Sequence, residues 1–167
     1  GVAALGTIIG SFDVLGTDLP AAFLNTNPAN IYLYPDKVDD ELVQVIGRMD
    51  GVGQVAGGRE IGVEVQTGPD EWKSLSLRVI DDWDDQQVNI VAPQSGQWPP
   101  LKGELLLERS SVSFLGIGPG ATVMLKTTDD RMRPVTVVGT AYDLQKASAS
   151  FTGQASGYID ADTLEWL

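Results

Sequence analysis

The sequence predicts an α+β protein in which strands outnumber helices, and three observations carry that expectation. Apolar and polar residues alternate with the two-residue period of a half-buried strand at Ile61, Val63 and Val65, at Leu75, Leu77 and Val79, and again through Thr122 to Thr127 and Val135 to Ala141. Helix signals are short, the clearest being Asp39, Asp40 and Glu41 ahead of Leu42, Val43 and Ile46, acids favoured by the positive end of a helix dipole. Finally, 43% of the 167 residues are hydrophobic, enough to bury a core in one ordinary domain or two small lobes.

The chain opens on an apolar stretch, Gly1 to Gly10, that starts without Met and is much shorter than the roughly 20 residues needed to cross a bilayer. Two readings stay open for it: a buried segment, or the outer end of a transmembrane helix, where Gly1, Gly6, Gly10 and Gly16 would be tolerated. A short helix is expected next, with Thr17 as cap and Leu19, Ala22 and Phe23 on one face, stopped by Asn25-Thr26-Asn27-Pro28. A β-α-β pattern then runs from a strand at Ile31 to Tyr34, through a helix capped by Asp36 and ended by a left-handed Gly51, to a strand at Glu60 to Thr67.

The second half reads mostly as strand. After a turn at Gly68-Pro69-Asp70, Trp72 to Ile80 alternates until Asp81-Asp82-Trp83-Asp84-Asp85 interrupts it. Gln94 to Pro100 is expected as a rigid loop, Leu105 to Leu107 as a strand end and Ser110 to Leu115 as a helical turn. Thr122 to Thr127 and Val135 to Ala141 pair antiparallel across Asp129-Asp130. Lys146 to Gly157, rich in Ala, Ser and Gly, is expected to be a mobile loop, and Tyr158 to Asp160 one more strand. Asp160 or Asp162 then caps Thr163 to Leu167, the first turn of a helix that the chain has no room to finish.

Composition removes several functions. With 11 basic and 23 acidic residues the charge is 11 minus 23, or minus 12, so no clustered positive field exists for nucleic acid or an anionic membrane surface. Without Cys or His there is no disulfide, thiolate nucleophile, imidazole base or Cys- or His-ligated metal. No catalytic residue, cofactor or metal ligand is therefore expected, and the protein is not expected to be an enzyme. The acidic run Asp81 to Asp85 lacks the Gly and terminal Glu of a calcium loop and reads as a solvated turn. Gly116-Ile117-Gly118-Pro119-Gly120 lacks the Lys-Ser/Thr ending of a phosphate loop, and Pro119 removes a donor, so it too reads as a turn. Ser110, Ser111 and Ser113 have no base, and Trp72, Trp83, Trp98 and Trp166 would stack on a sugar only if grouped on one face.

A set of glycine-led motifs remains: Gly96-Gln97-Trp98-Pro99-Pro100, Gly103-Glu104-Leu105-Leu106-Leu107, Leu115-Gly116 with Gly118 to Gly120, and Arg133-Pro134-Val135-Thr136-Val137-Val138-Gly139. In this order they resemble the extracytoplasmic (periplasmic core) domain of FtsX-like ABC transporter permeases of the macrolide-exporter, or MacB, type. Asp50-Gly51-Val52 and Asn30-Ile31-Tyr32-Leu33 agree with the pattern, and the likeness covers residues 28 to 166. Gln97 stands where the family carries a basic residue, and Pro119-Gly120 where it carries Gly-Asp. The residues transferred by the resemblance are structural: Gly96, Trp98, Pro99, Gly103, Glu104, Gly116, Gly120 and Gly139.

The resemblance implies two lobes, a membrane-proximal β-α-β lobe and a β-rich insertion. Residues 1–28 would follow a transmembrane helix, 29–68 would form the first half of the β-α-β lobe, and 69–167 the insertion, cut before the segment that completes the lobe. It further implies a non-catalytic role on the extracytoplasmic side of the cell membrane, coupling ATP-driven movement to export or extraction of a cargo. The implied partners are a cytoplasmic ATPase subunit, reached through the full-length permease, and an extracytoplasmic adaptor or cargo protein. An unfinished lobe would expose an apolar face, to be covered by residues 1–24 or by a second copy in a homodimer. The alternatives are a secreted β-rich carbohydrate- or ligand-binding module and, more remotely, an acid-based glycosidase fragment. Trp98-Pro99-Pro100 is expected to be a structural corner with Trp98 at least partly buried.

Overall fold

The computed structural model of the chain describes residues 19–36 and 38–167, with Leu19 and Pro20 described by their backbone alone. The cap expected at Thr17 and the apolar stretch Gly1 to Gly10 lie outside the described residues. In chain order the elements are α1 (Leu19–Asn25), α2 (Asp40–Gly47), β1 (Arg59–Gly68), β2 (Glu71–Val79), β3 (Ala92–Gly96), β4 (Glu104–Glu108), α3 (Arg109–Leu115), β5 (Thr122–Lys126), β6 (Met132–Tyr142), α4 (Ala149–Thr152), β7 (Ala155–Ile159) and α5 (Ala161–Trp166).

The alternating segments form strands because each has one apolar face to bury, and they bury it against one another in a closed sheet. Strands β6, β4, β7, β2, β1 and β5 follow in ring order, and β5 pairs back onto β6, so six strands make a barrel-like arrangement with β3 added along the far half of β6. The pairs β2–β7 and β4–β6 are parallel and the rest antiparallel. Register follows the apolar pattern: Ile61 faces Leu77 and Val63 faces Leu75. The interior holds Val65, Leu75, Leu77, Leu105, Leu107, Leu125, Val135, Val137 and Ile159, with Leu115 of α3 and Leu167 after α5 in the same cluster. A smaller cluster, Ile80, Val91, Leu106, Ala141 and Tyr158, packs with Trp83, Trp98 and Val138. Strand β4 thus buries Leu105 and Leu107 in one cluster and Leu106 in the other, which is why it reads as an unbroken apolar run.

Several expectations are corrected. Lys146 to Gly157 is no mobile loop, because it contains α4 and most of β7, which runs between β4 and β2. Its small residues are there for space: a Cβ on Gly157 would lie 2.7 Å from Leu105 Cδ1 and 3.0 Å from Leu106 O. Ile31 to Tyr34 forms no strand and is exposed throughout, from 53% at Tyr32 to 90% at Tyr34. Its β-branched and aromatic residues favour extended backbone, but a strand needs a neighbour, and none pairs with it among the described residues. Among the described residues β1, which the sequence reading assigns to the β-α-β lobe, pairs with β2 from Arg59 to Gly68 and so belongs to the same sheet as the strands after residue 68.

Helix α2 exists but is capped by Asp39, whose side chain accepts from Leu42 N at 3.0 Å, and not by Asp36. It ends at Gly47 with a right-handed Arg48, before the left-handed Gly51. None of its residues is buried. At the other end, Asp160 is the cap of α5, accepting from Thr163 N at 2.7 Å. Among the described residues, no helix is long and apolar enough to cross a membrane.

Candidate functional site at the Trp98 corner

Strand β6 gathers most of the motif residues, because four consecutive positions on it are met by residues of the three other motif segments. Thr136 N donates to Gly103 O (3.1 Å), Gly120 N donates to Val137 O (2.7 Å), and Gln97 N donates to Val138 O (3.0 Å). Gly139 pairs with Gly96 in the β3–β6 ladder. The contact at Gly139 requires glycine: a Cβ there would sit 2.4 Å from Ser95 O, 2.9 Å from Leu106 Cδ2 and 3.1 Å from Gln97 O. Gly96 is left-handed (φ +83°), and its own Cβ would fall 2.3 Å from Val138 O. Gly116, by contrast, works away from β6 as the left-handed cap of α3, donating to Val112 O at 3.0 Å.

The chain then turns through Trp98-Pro99-Pro100, with a cis Trp98-Pro99 bond. Trp98 is half-buried and lies edge-on to Trp83, ring centroids 4.7 Å apart at 85°, while Pro100 is buried. Glu104 Oε2 accepts from Leu101 N and from Gln97 Nε2, both at 2.7 Å, and Leu101 O accepts from Glu104 N at 2.8 Å. Gln97, standing where the resembled family has a basic residue, therefore contacts the motif acid with a neutral amide. Gly103 N donates to the buried Thr163 Oγ1 at 2.9 Å, docking α5 onto the same corner. These partners hold strands and fix a turn, with no nucleophile and base brought together.

The other sequence candidates are structural as well. Ser110 Oγ accepts from Ala149 N (3.0 Å) and bonds Glu108, and the buried Ser111 Oγ accepts from Ser156 N (2.8 Å), so both hydroxyls join α3 to its neighbours. In the acidic turn, Asp82 Oδ1 accepts from Asp84 N and Asp85 N, and Asp81 pairs with Arg59. The tryptophans are not grouped on one face: Trp83 and Trp98 pair, whereas Trp72 lies by Lys126 and Trp166 by Arg133.

An open groove of about 400 Å³ crosses the outside of β1 and β2 near β5, lined by Gly62, Glu64, Ser74, Lys126, Thr128 and Gln154 among others. Its cation is already engaged: Lys126 Nζ is 2.7 Å from Glu64 and 3.9 Å from Asp130, and the hydrogen bond to Glu64 raises its pKa. Beside the groove Glu60 is only partly buried. That burial would raise its pKa, but hydrogen bonds from Ser76 and Lys146 and the charges of Lys146 and Arg78 hold it below the usual carboxylate value. In both places the carboxylate and the ammonium group face one another.

With the corner and the barrel in view, a match among solved structures becomes informative. The chain shares its fold with the extracellular domain of an ABC-type transporter. That protein is the noncanonic transporter YknZ from Gram-positive bacteria, 18% identical with a TM-score of 0.50, over 84% of this chain and 72% of that one. The periplasmic region of MacB from Actinobacillus actinomycetemcomitans is also similar, at 16% identity and a TM-score of 0.49, over 78% of this chain and 58% of that one. No protein-family model matches the chain, and no curated protein matches it.

The ring of Trp98 closes the smaller cluster and packs on Trp83. Trp98→Ala is expected to cost roughly 2 to 4 kcal/mol, the lower end being favoured by its half-burial. Urea unfolding of the two proteins checks this, and equal midpoints would show that Trp98 is a platform resting on the fold and no part of it.

Proposed function

We propose that this chain is the extracytoplasmic domain of an FtsX-like, MacB-type ABC transporter permease, and that it is non-catalytic. The observation that carries this reading is the convergence of the family-like glycine motifs on β6, within a fold that aligns over most of a transporter's extracellular domain. The domain couples movement driven by a cytoplasmic ATPase subunit to export or extraction of a cargo. A packed barrel suits this role because it moves as a rigid body without losing its own contacts.

In this reading residues 1–28 lead away from a membrane helix, the barrel from Arg59 onward projects outward, and residues 29–58 lie between. The exposed Ile31, Leu33, Tyr34 and Met49 of that intermediate layer are then a surface for sequence beyond Leu167, for an extracytoplasmic adaptor or cargo protein, or for a second copy.

Residues 1–167 contain no Cys and Phe151 is 91% exposed, so Phe151→Cys in the full-length protein gives a reactive handle on the barrel whose labelling is read against the unsubstituted protein. Intact cells treated with a membrane-impermeant maleimide are expected to label it, with the protein retained in alkali-washed membranes. Labelling only after lysis would place the domain inside the cell and end the proposal. Recovery of the protein from the culture medium would favour the secreted binding module instead.

A further inference from the structure

Between residues 21 and 60 no described side chain is buried, so the layer containing α1, the Ile31 to Tyr34 segment and α2 gains little from apolar packing on the barrel. What ties its beginning to the barrel is a compact set of hydrogen bonds. Ile90 N donates to Thr26 O (2.8 Å) and Asn89 N donates to Asn27 O (3.0 Å). Asn89 Oδ1 accepts from Ala29 N (2.9 Å) and Tyr32 OH (3.3 Å). The Asn27 amide bonds Gln54 and Gln87 O, Gln54 Nε2 donates to Gln87 Oε1 (3.1 Å), and Gln145 Nε2 donates to Thr26 Oγ1 (3.1 Å). On the barrel side, Arg78 of β2 fixes the same loop by donating to Asn89 O (2.8 Å) and Val88 O (3.3 Å).

Asn27 and Asn89 both adopt left-handed backbone, with φ of 46° and 53°. Asparagine is among the few residues other than glycine that tolerate this region, and its side chain supplies local hydrogen bonds at the same time. Asn89 is the hub: its backbone N–H, backbone carbonyl and side-chain oxygen are all committed, the first and last to the 27–32 segment and the carbonyl to Arg78. Among the described residues no ion pair joins 21–36 to the barrel. Bonds of neutral amides and hydroxyls are individually weak and directional, so they hold one geometry and fail together when displaced.

We infer that Asn27, Asn89 and their glutamine partners form a polar latch that fixes α1 and the segment after it against the barrel, and that opens as a unit while the barrel stays folded. The latch is a property of the chain and does not rest on the transport reading. In a protein whose N-terminal segment is pulled or rotated, it would set whether the barrel follows.

The test uses spin labels at Leu24→Cys and Met132→Cys, two exposed positions in a chain without other cysteines, to measure the α1-to-barrel distance. The parent pair is expected to give one narrow distance distribution. Asn89→Ala, which removes the side-chain acceptor and disfavours the left-handed backbone, is expected to give a broad one. The Ile90 amide should then exchange at least roughly tenfold faster, as follows from loss of about one hydrogen bond's protection, while amides of Leu77 and Tyr158 keep their rates. Asn89→Asp, which keeps an acceptor and tolerates the backbone, should restore the narrow distribution. An unchanged distribution in Asn89→Ala overturns the inference, and so does faster exchange at Leu77 and Tyr158 in step with Ile90, because Asn89 would then be supporting the whole fold.

Discussion

Gly139→Ala is expected to destabilise the barrel by about 3 kcal/mol or more, at the upper part of the range for overpacking a closed core. The added Cβ would meet Ser95 O at 2.4 Å and Gln97 O at 3.1 Å, and these are backbone atoms that cannot turn aside as a side chain would. Ser95 is held in the β3–β6 ladder and by its Oγ 2.7 Å from Thr140 Oγ1, while Gln97 N is bonded to Val138 O. Relief therefore requires β3 to lift from β6, or β6 to shift toward Leu106 of β4, whose Cδ2 would already be only 2.9 Å away. At about 2 to 4 °C per kcal/mol for a domain of this size, the melting temperature should fall by roughly 10 °C. Gly62→Ala is the control, since a Cβ there meets nothing within 4 Å, and it should be neutral or stabilise by up to about 1 kcal/mol. Similar losses in both variants would show that Gly139 is not a spacing requirement and that β6 is not the element the motif serves.

The contrast between these glycines marks how far the sequence could be read. Strands β1, β2, β5 and β6 were legible because each has one apolar and one polar face, and the Asp160 cap because its oxygen precedes the helix it serves. The end of strand β7, Tyr158 and Ile159, was legible as strand, but its start was not, because Gly157 is there for close approach to Leu77 and Leu105, and small residues chosen for packing look like those chosen for flexibility. Ile31 to Tyr34 failed in the opposite sense, having strand propensity without a partner strand. Closure of the sheet depends on pairings far apart in sequence, such as β2 with β7, which no local pattern encodes. The motif order was readable as a resemblance, but the meeting of Gly96, Gly103 and Gly120 on one strand was not. Nor was the latch: Asn27 was visible only as part of a helix stop, and Asn89 carries no signal except its tolerance of left-handed backbone.

Removal of Tyr158 should be comparably severe, and the loss can be divided between its ring and its hydroxyl. The ring is fully buried among Ile80, Val91, Leu106 and Ala141, so Tyr158→Ala should cost about 3 to 5 kcal/mol. Its hydroxyl donates to Asp143 Oδ2 at 2.9 Å, and Asp143 is itself buried, with Oδ1 accepting from Gln145 N at 2.8 Å. Tyr158→Phe keeps the ring but strands a carboxylate oxygen, at a cost of about 1 to 3 kcal/mol near neutral pH. Burial, then the charge of Asp143 and its hydrogen bond, then the charge of Glu108 push the phenol well above its ordinary value, with Arg78 opposing. A group whose folded pKa is raised stabilises the native state fully below its unfolded pKa, about 10 for tyrosine, and loses that contribution as pH rises through the folded value. The protein should therefore lose stability above pH about 10 by up to about 1.4 kcal/mol per pH unit from this residue, a slope that Tyr158→Phe lacks. The gap in urea midpoint between the two is expected to be constant from pH about 7 to 9 and to narrow by pH about 11. A gap that stays constant across the whole interval would mean that Tyr158 ionises as readily in the folded chain as in the unfolded one, and that the pair with Asp143 is open to water.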